Sequence, residues 1–144
     1  MSTDVQVETL IRRPRREVSS YAMDWRNDRS WIRALTGARL LTPEPFGIGS
    51  RVARSASFLG REIEYVNEIV ELEPERRLVM RSVQALFPMT IVYEFEDADD
   101  GTRVRIRTLG DASGFYRLAA PVLARAVKRA LTGDLRQLRD VLER

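Results

Sequence analysis

A chain of 144 residues, 44% of them apolar, 8% aromatic and 31% charged, has the profile of a soluble globular protein long enough to bury a real core without a covalent or metal staple. It contains neither cysteine nor histidine, which excludes thiol nucleophiles, zinc fingers, histidine metal triads and any Ser-His-Asp device. The net charge of +3 places the pI near 9.8 only because nothing titrates between about pH 5 and 9, so no nucleic-acid partner is expected.

Val5, Val7, Thr9 and Ile11 alternate with Asp4, Gln6, Glu8 and Leu10, the period of a strand with one buried face. Pro14 ends it and opens a short helix carrying Glu17, Val18, Tyr21 and Ala22, and Trp25, Trp31 and Ile32 belong to a second short helix. The stretch from Thr42 to Gly49, with two prolines and two glycines, is loop. From Ser50 to about Gly110 the sequence reads as a β-meander of about five or six strands, with turns at Leu59-Gly60, at Glu73-Pro74-Glu75 and between Asp97 and Gly101. Beyond Phe115 the period becomes helical: Leu118, Val122, Ala126, Ala130, Leu135, Leu138, Val141 and Leu142 form an apolar stripe backed by Arg125, Lys128, Arg129, Arg136 and Arg139. Pro121 suits the start of that helix, and Gly133 is expected to bend or break it. The N-terminus lacks the apolar run of a secretory signal, and no window approaches the roughly 18 apolar residues of a span, so a cytoplasmic protein without stable membrane insertion is expected.

The strand registers follow from side-chain pairing. In the last hairpin, Glu96 faces Arg103 and Glu94 faces Arg105 on one side, while Phe95 meets Val104 and Tyr93 meets Ile106 on the other. Around Pro74, Ile69 faces Met80, Asn67 faces Ser82 and Tyr65 faces Gln84. A tight turn at Leu59-Gly60 then sets Arg54 beside Tyr65 and Val52 beside Asn67, unless a bulge reverses the faces.

An antiparallel sheet with one buried face and one long terminal helix packs economically by curling around the helix. The chain resembles the polyketide cyclase/dehydrase and lipid-transport family of the START-like, Bet v 1-like (SRPBCC) superfamily. The likeness is carried by Ile11 to Val18, Asp28 to Ile32, Gly47 to Arg51, Glu71 to Leu78, Tyr93 to Phe95, Gly101 to Val104, and Asp134, Leu135 and Leu138. It implies an α+β helix-grip fold: a curved antiparallel sheet wrapped around a long C-terminal helix, with two short helices after the first strand, in a single domain spanning 1–144. It also implies an internal cavity for a hydrophobic or amphipathic molecule.

On the registers above, Arg54, Tyr65, Gln84, Asn67 and Ser82 interrupt an inner face otherwise made of Ile63, Ile69, Met80, Ile91, Tyr93 and Val104. Buried polar groups need partners, and a mostly apolar pocket with a few convergent polar groups is the usual form of a small-molecule site. The expected ligand-binding residues are therefore Trp31, Arg54, Tyr65, Asn67, Met80, Gln84, Met89, Tyr93 and Phe115. Arg54 either recognises an oxygen of the ligand or, if the register slips, stays solvated. Asn67 and Ser82 either meet the ligand or satisfy each other. Phe87-Pro88-Met89 reads as an apolar gate, and Tyr21, Trp25 and Phe46 line a mouth or simply pack. Glu62, Glu64, Glu68 and Glu71 invite an acid-base role, but their register makes a solvated face with arginine partners the better reading. The Arg12, Arg13, Arg15, Arg16 cluster is a solvated turn, or else a contact with an anionic membrane surface.

These readings lead to binding of a lipid, quinone or polyketide-like molecule by a carrier, sensor or chaperone, with no catalytic residue, metal or cofactor assigned. The alternative is a polyketide cyclase or dehydratase in which Arg54 or Tyr65 polarises a carbonyl. The partner is the small hydrophobic ligand, and the protein is a monomer or homodimer.

Overall fold

Alternating apolar and polar residues form seven strands: β1 (Ser2–Ile11), β2 (Leu35–Leu40), β3 (Arg51–Phe58), β4 (Arg61–Glu73), β5 (Arg77–Gln84), β6 (Met89–Ala98) and β7 (Gly101–Asp111). The computed structural model of the protein describes residues 2–58, 60–85, 88–111 and 120–144. Pro14 precedes helix α1 (Arg15–Met23), a 3₁₀ turn follows at Trp25–Asn27, and α2 (Asp28–Trp31) completes the pair of short helices. The long helix α3 (Ala120–Leu142) closes the chain.

The strands form one sheet in the order β1-β7-β6-β5-β4-β3-β2, antiparallel throughout, and α3 packs against β1 and α2. This is the helix-grip arrangement. Bulges at Leu35/Gly37 in β2, at Val83 of β5 opposite Val66/Asn67, and at Val70 of β4 between Ile69 and Glu71 add the local twist that curls the sheet. The tip of the β6–β7 hairpin lies so close to the end of β1 that a Cβ at Gly101 would collide with the Ile11 carbonyl, which reserves the position for glycine.

The registers read from pairing hold for the last hairpin, for Ile69 with Met80 and Asn67 with Ser82, and for Arg54 with Tyr65 and Val52 with Asn67. Gln84 is the exception. The bulge at Val66/Asn67 sets it opposite Val66, and it is exposed on the outer face rather than beside Tyr65. Strand β2 is an addition, because Leu35–Leu40 lacks a strict alternation and its bulge at Gly37 hides the period.

The core gathers Ile11, Val18 and Trp31 with Ile69, Leu78, Met80, Tyr93, Phe95, Val104 and Ile106, capped by Leu135 and Leu138 of α3. Two of the four glutamates have the arginine partners expected of a solvated sheet surface, Glu68 with Arg51 at 3.2 Å and Glu71 with Arg77 at 3.0 Å, whereas Glu62 accepts the Thr36 hydroxyl at 2.6 Å and Glu64, though exposed, borders the space between sheet and long helix. Of the four N-terminal arginines, Arg13 pairs with Glu17 at 3.9 Å and Arg15 with Asp97 at 3.1 Å.

Helix α3 differs from expectation in two ways. It runs unbroken through Gly133, over which the Arg33 side chain lies. Its N-terminal half is also rotated relative to the expected stripe: Leu123 is buried while Val122 is 59% exposed. The inward positions are Leu123, Val127, Ala130, Leu131, Asp134, Leu135 and Leu138, a 3.6-residue repeat that includes one carboxylate. Leu118 and Leu59 lie outside the described residues. In urea denaturation, Leu123→Ala should cost about 2–5 kcal/mol and Val122→Ala less than about 0.5 kcal/mol; equal losses would restore the stripe read from the sequence.

Candidate functional site

Between α3 and the sheet lies a cavity of about 180 Å³. Ile63, Tyr65 and Asn67 of β4, Ser82 of β5, Met89 and Ile91 of β6 and Thr108 of β7 form its sheet side. Val127, Ala130, Leu131 and Asp134 form its helix side, and Ile32 and Ala34 close it from the link between α2 and β2. The wall is overwhelmingly apolar, with a few polar groups set into it.

Asn67 is 2% exposed and its side-chain nitrogen has no hydrogen-bond partner. Ser82, its partner across the strands, makes no hydrogen bond to that nitrogen; its hydroxyl accepts the Met89 backbone N–H at 2.8 Å. A buried amide left in this state costs on the order of 1–3 kcal/mol, and a ligand or a water with a matching group would recover it. Asp134 accepts the Arg33 backbone N–H at 3.0 Å, and burial raises its carboxyl to about 6. Burial likewise raises Tyr65, which therefore remains a protonated hydroxyl at neutral pH. The wall thus carries a carboxyl poised to exchange a proton near neutrality and a phenol fixed as a donor.

Of the expected ligand-binding residues, Tyr65, Asn67 and Met89 are in the wall. Trp31, Met80 and Tyr93 are buried in the adjoining core, where the Trp31 and Tyr93 rings meet edge to face with centroids 5.8 Å apart. Burial raises the Tyr93 hydroxyl above its ordinary range. Gln84 faces outward, and Phe115, with Phe87 of the expected gate, lies outside the described residues. Tyr21 and Phe46 pack against the core, and Trp25 lines a separate surface groove.

Arg54 is buried as the register requires, but outside the cavity wall and with a partner the sequence reading did not identify. Its Nε donates to Asp28 Oδ2 at 2.8 Å, its Nη2 lies 2.7 Å from the same oxygen in the ion pair, and its Nη1 lies 3.6 Å from Met80 Sδ. Burial pushes the Asp28 carboxyl up to about 6 against the pull of the guanidinium. Burial also opposes the charge on Arg54, yet Asp28 and the nearby Tyr93 and Tyr65 leave its pKa above the ordinary value. The pair ties α2 to β3, and Ile32, the residue that follows α2, lines the cavity. Asp134 was legible as the one acid within the inward repeat of α3. Asp28, three residues before Trp31, carried no comparable signal.

Two consequences are measurable. Arg54→Met should destabilise the fold by about 3–5 kcal/mol in urea, because it strands a buried carboxylate, and Asp28→Leu combined with Arg54→Met should recover most of that loss. Asp134 binds its proton more tightly in the folded chain than in the unfolded one, so its contribution to stability is fully present below about pH 3.8 and is lost as pH rises through about 6. Asp134→Asn should therefore gain thermal stability relative to the parent as pH rises from 4 to 7; a constant difference in Tm would refute the raised carboxyl.

No curated protein matches the chain. The described fold is similar to TTHA0849 from Thermus thermophilus, with a TM-score of 0.83 at 19% identity over 95% of this chain and 94% of that one. It is similar to the Zhui aromatase/cyclase from Streptomyces sp. R1128, with a TM-score of 0.84 at 16% identity over 100% and 95% of the two chains. It also matches Ara h 8.0201, with a TM-score of 0.75 at 13% identity over 99% and 98%. At these identities the likeness is one of fold. The sequence model for polyketide cyclase / dehydrase and lipid transport matches residues 2–143, and the chain belongs to that family.

Proposed function

We propose that residues 1–144 act as one ligand-binding unit that holds a hydrophobic or amphipathic small molecule in the cavity between α3 and the sheet, as a carrier, sensor or chaperone. The observation that carries this reading is the apolar cavity of about 180 Å³ with the unpartnered amide of Asn67 in its wall. An engineered void of about 150 Å³ with apolar walls stays dry and accepts benzene, so this cavity takes a body of about one or two rings, or a chain of similar volume. A lipid, quinone or polyketide-like molecule larger than that extends out of the cavity.

A second reading, a cyclase or dehydratase, is favoured by Asp134 and Tyr65 in the same wall. A carboxyl near neutral pKa can take up and return a proton beside an enolisable carbon, while the Tyr65 hydroxyl donates to a carbonyl oxygen. Arg54, engaged with Asp28, is a supporting group in this reading and not a contact of the substrate.

Native mass spectrometry of the purified protein, followed by denaturation and identification of what is released, tests the first reading. A bound apolar or amphipathic species is expected, and Ala130→Phe, which fills the cavity, should remove it while leaving the fold intact. A protein that is empty and fails to bind 2-naphthol would overturn the binding reading. If the released molecule is converted by the parent, loss of conversion in Asp134→Asn with binding retained would favour the enzyme.

A further inference from the structure

Outside the cavity runs a groove that shares Ala34, Ser57, Ala130 and Asp134 with it, so the two are continuous. The groove's own walls carry the opposite chemistry. Arg125 and Arg129, one turn apart on α3, are exposed and make no ion pair with any described residue. Arg33 reaches in from the link between α2 and β2. Its guanidinium occupies a seat that exists because residue 133 is glycine: a Cβ there would stand 2.7 Å from Arg33 Nη1. Glycine is a poorer helix former than alanine, so this seat is held against local helix preference. Asp134 is the groove's one carboxylate among the described residues, and its Oδ1 already accepts the Arg33 backbone N–H.

Three guanidinium groups against one carboxylate leave a positive mouth on an apolar chamber. Guanidinium pairs carboxylates through two parallel hydrogen bonds, and the chamber is too small to enclose both a two-ring body and its head. We propose that this groove is the second half of the ligand site and holds the carboxylate head of an amphipathic molecule whose apolar body enters the cavity. The proposal rests on the ligand-binding reading of the cavity and narrows the ligand class to apolar carboxylates.

The test is calorimetric titration with 2-naphthoate and with its neutral methyl ester, at low and high salt. The carboxylate should bind about tenfold more tightly than the ester at low salt, as charge-assisted hydrogen bonds allow, and should lose that advantage at high salt. The double variant Arg125→Ala/Arg129→Ala should equalise the two compounds while leaving ester binding within about twofold. Gly133→Ala displaces only the far end of Arg33 and suits the helix, so it should weaken naphthoate several-fold without lowering Tm. Ester binding with no preference for naphthoate, or a preference that survives the double variant, would overturn the head-group assignment and leave the cavity reading standing. Failure of both compounds to bind would remove both.

Discussion

The placement of the short α2 segment depends on the buried pair between Asp28 and Arg54. The guanidinium donates through Nε to one carboxylate oxygen and holds Nη2 at ion-pair distance from the same atom, and both side chains are almost wholly removed from water. Such a pair is costly to desolvate and contributes little net stability compared with apolar substitutes, but neither partner can leave without exposing the other. It therefore fixes position: α2 is held on β3, Trp31 is pressed against Tyr93, and the chain beyond is delivered to α3, where the Arg33 amide meets Asp134.

The cavity follows from how side-chain volume is distributed along the grip. At one end Phe95, Leu78, Ile69 and Ile11 meet Leu135 and Leu138, and the space between sheet and helix is filled. At the other, Ala34, Ala56, Ser82 and Ala130 stand where bulky residues would be needed to fill it. Protein interiors otherwise pack to crystal-like density, so small side chains facing one another across a curled sheet leave a void that its neighbours cannot collapse into. The bulges where β4 pairs with β5 add to this by bending strands on the cavity's sheet side.

The polar groups around that void fall into three sets with separate tasks. Asp28 and Arg54 satisfy each other and hold structure. Asn67, Tyr65 and Asp134 line the chamber. Arg33, Arg125 and Arg129 stand outside the chamber, where Asp134 is the one carboxylate among the described residues of the groove. This ordering from apolar chamber to cationic mouth matches a ligand that is itself amphipathic.

Much of this was legible in the residues themselves. Alternation defined β1 and β3 to β7, side-chain pairing set the registers of Glu94 with Arg105 and Asn67 with Ser82, and the order of elements around one amphipathic helix implied the grip. Those features depend on neighbours a fixed number of residues apart, which periodicity reports directly. The facing of Gln84, the rotation of α3 that buries Leu123 and exposes Val122, and the engagement of Arg54 by Asp28 were decided only by the tertiary structure. A bulge adds one residue without changing local composition, rotating a helix by one residue, about 100°, costs nothing locally, and a buried charge chooses among distant partners by geometry. Where the polar groups sit, and so which of them can meet a ligand, was settled by packing.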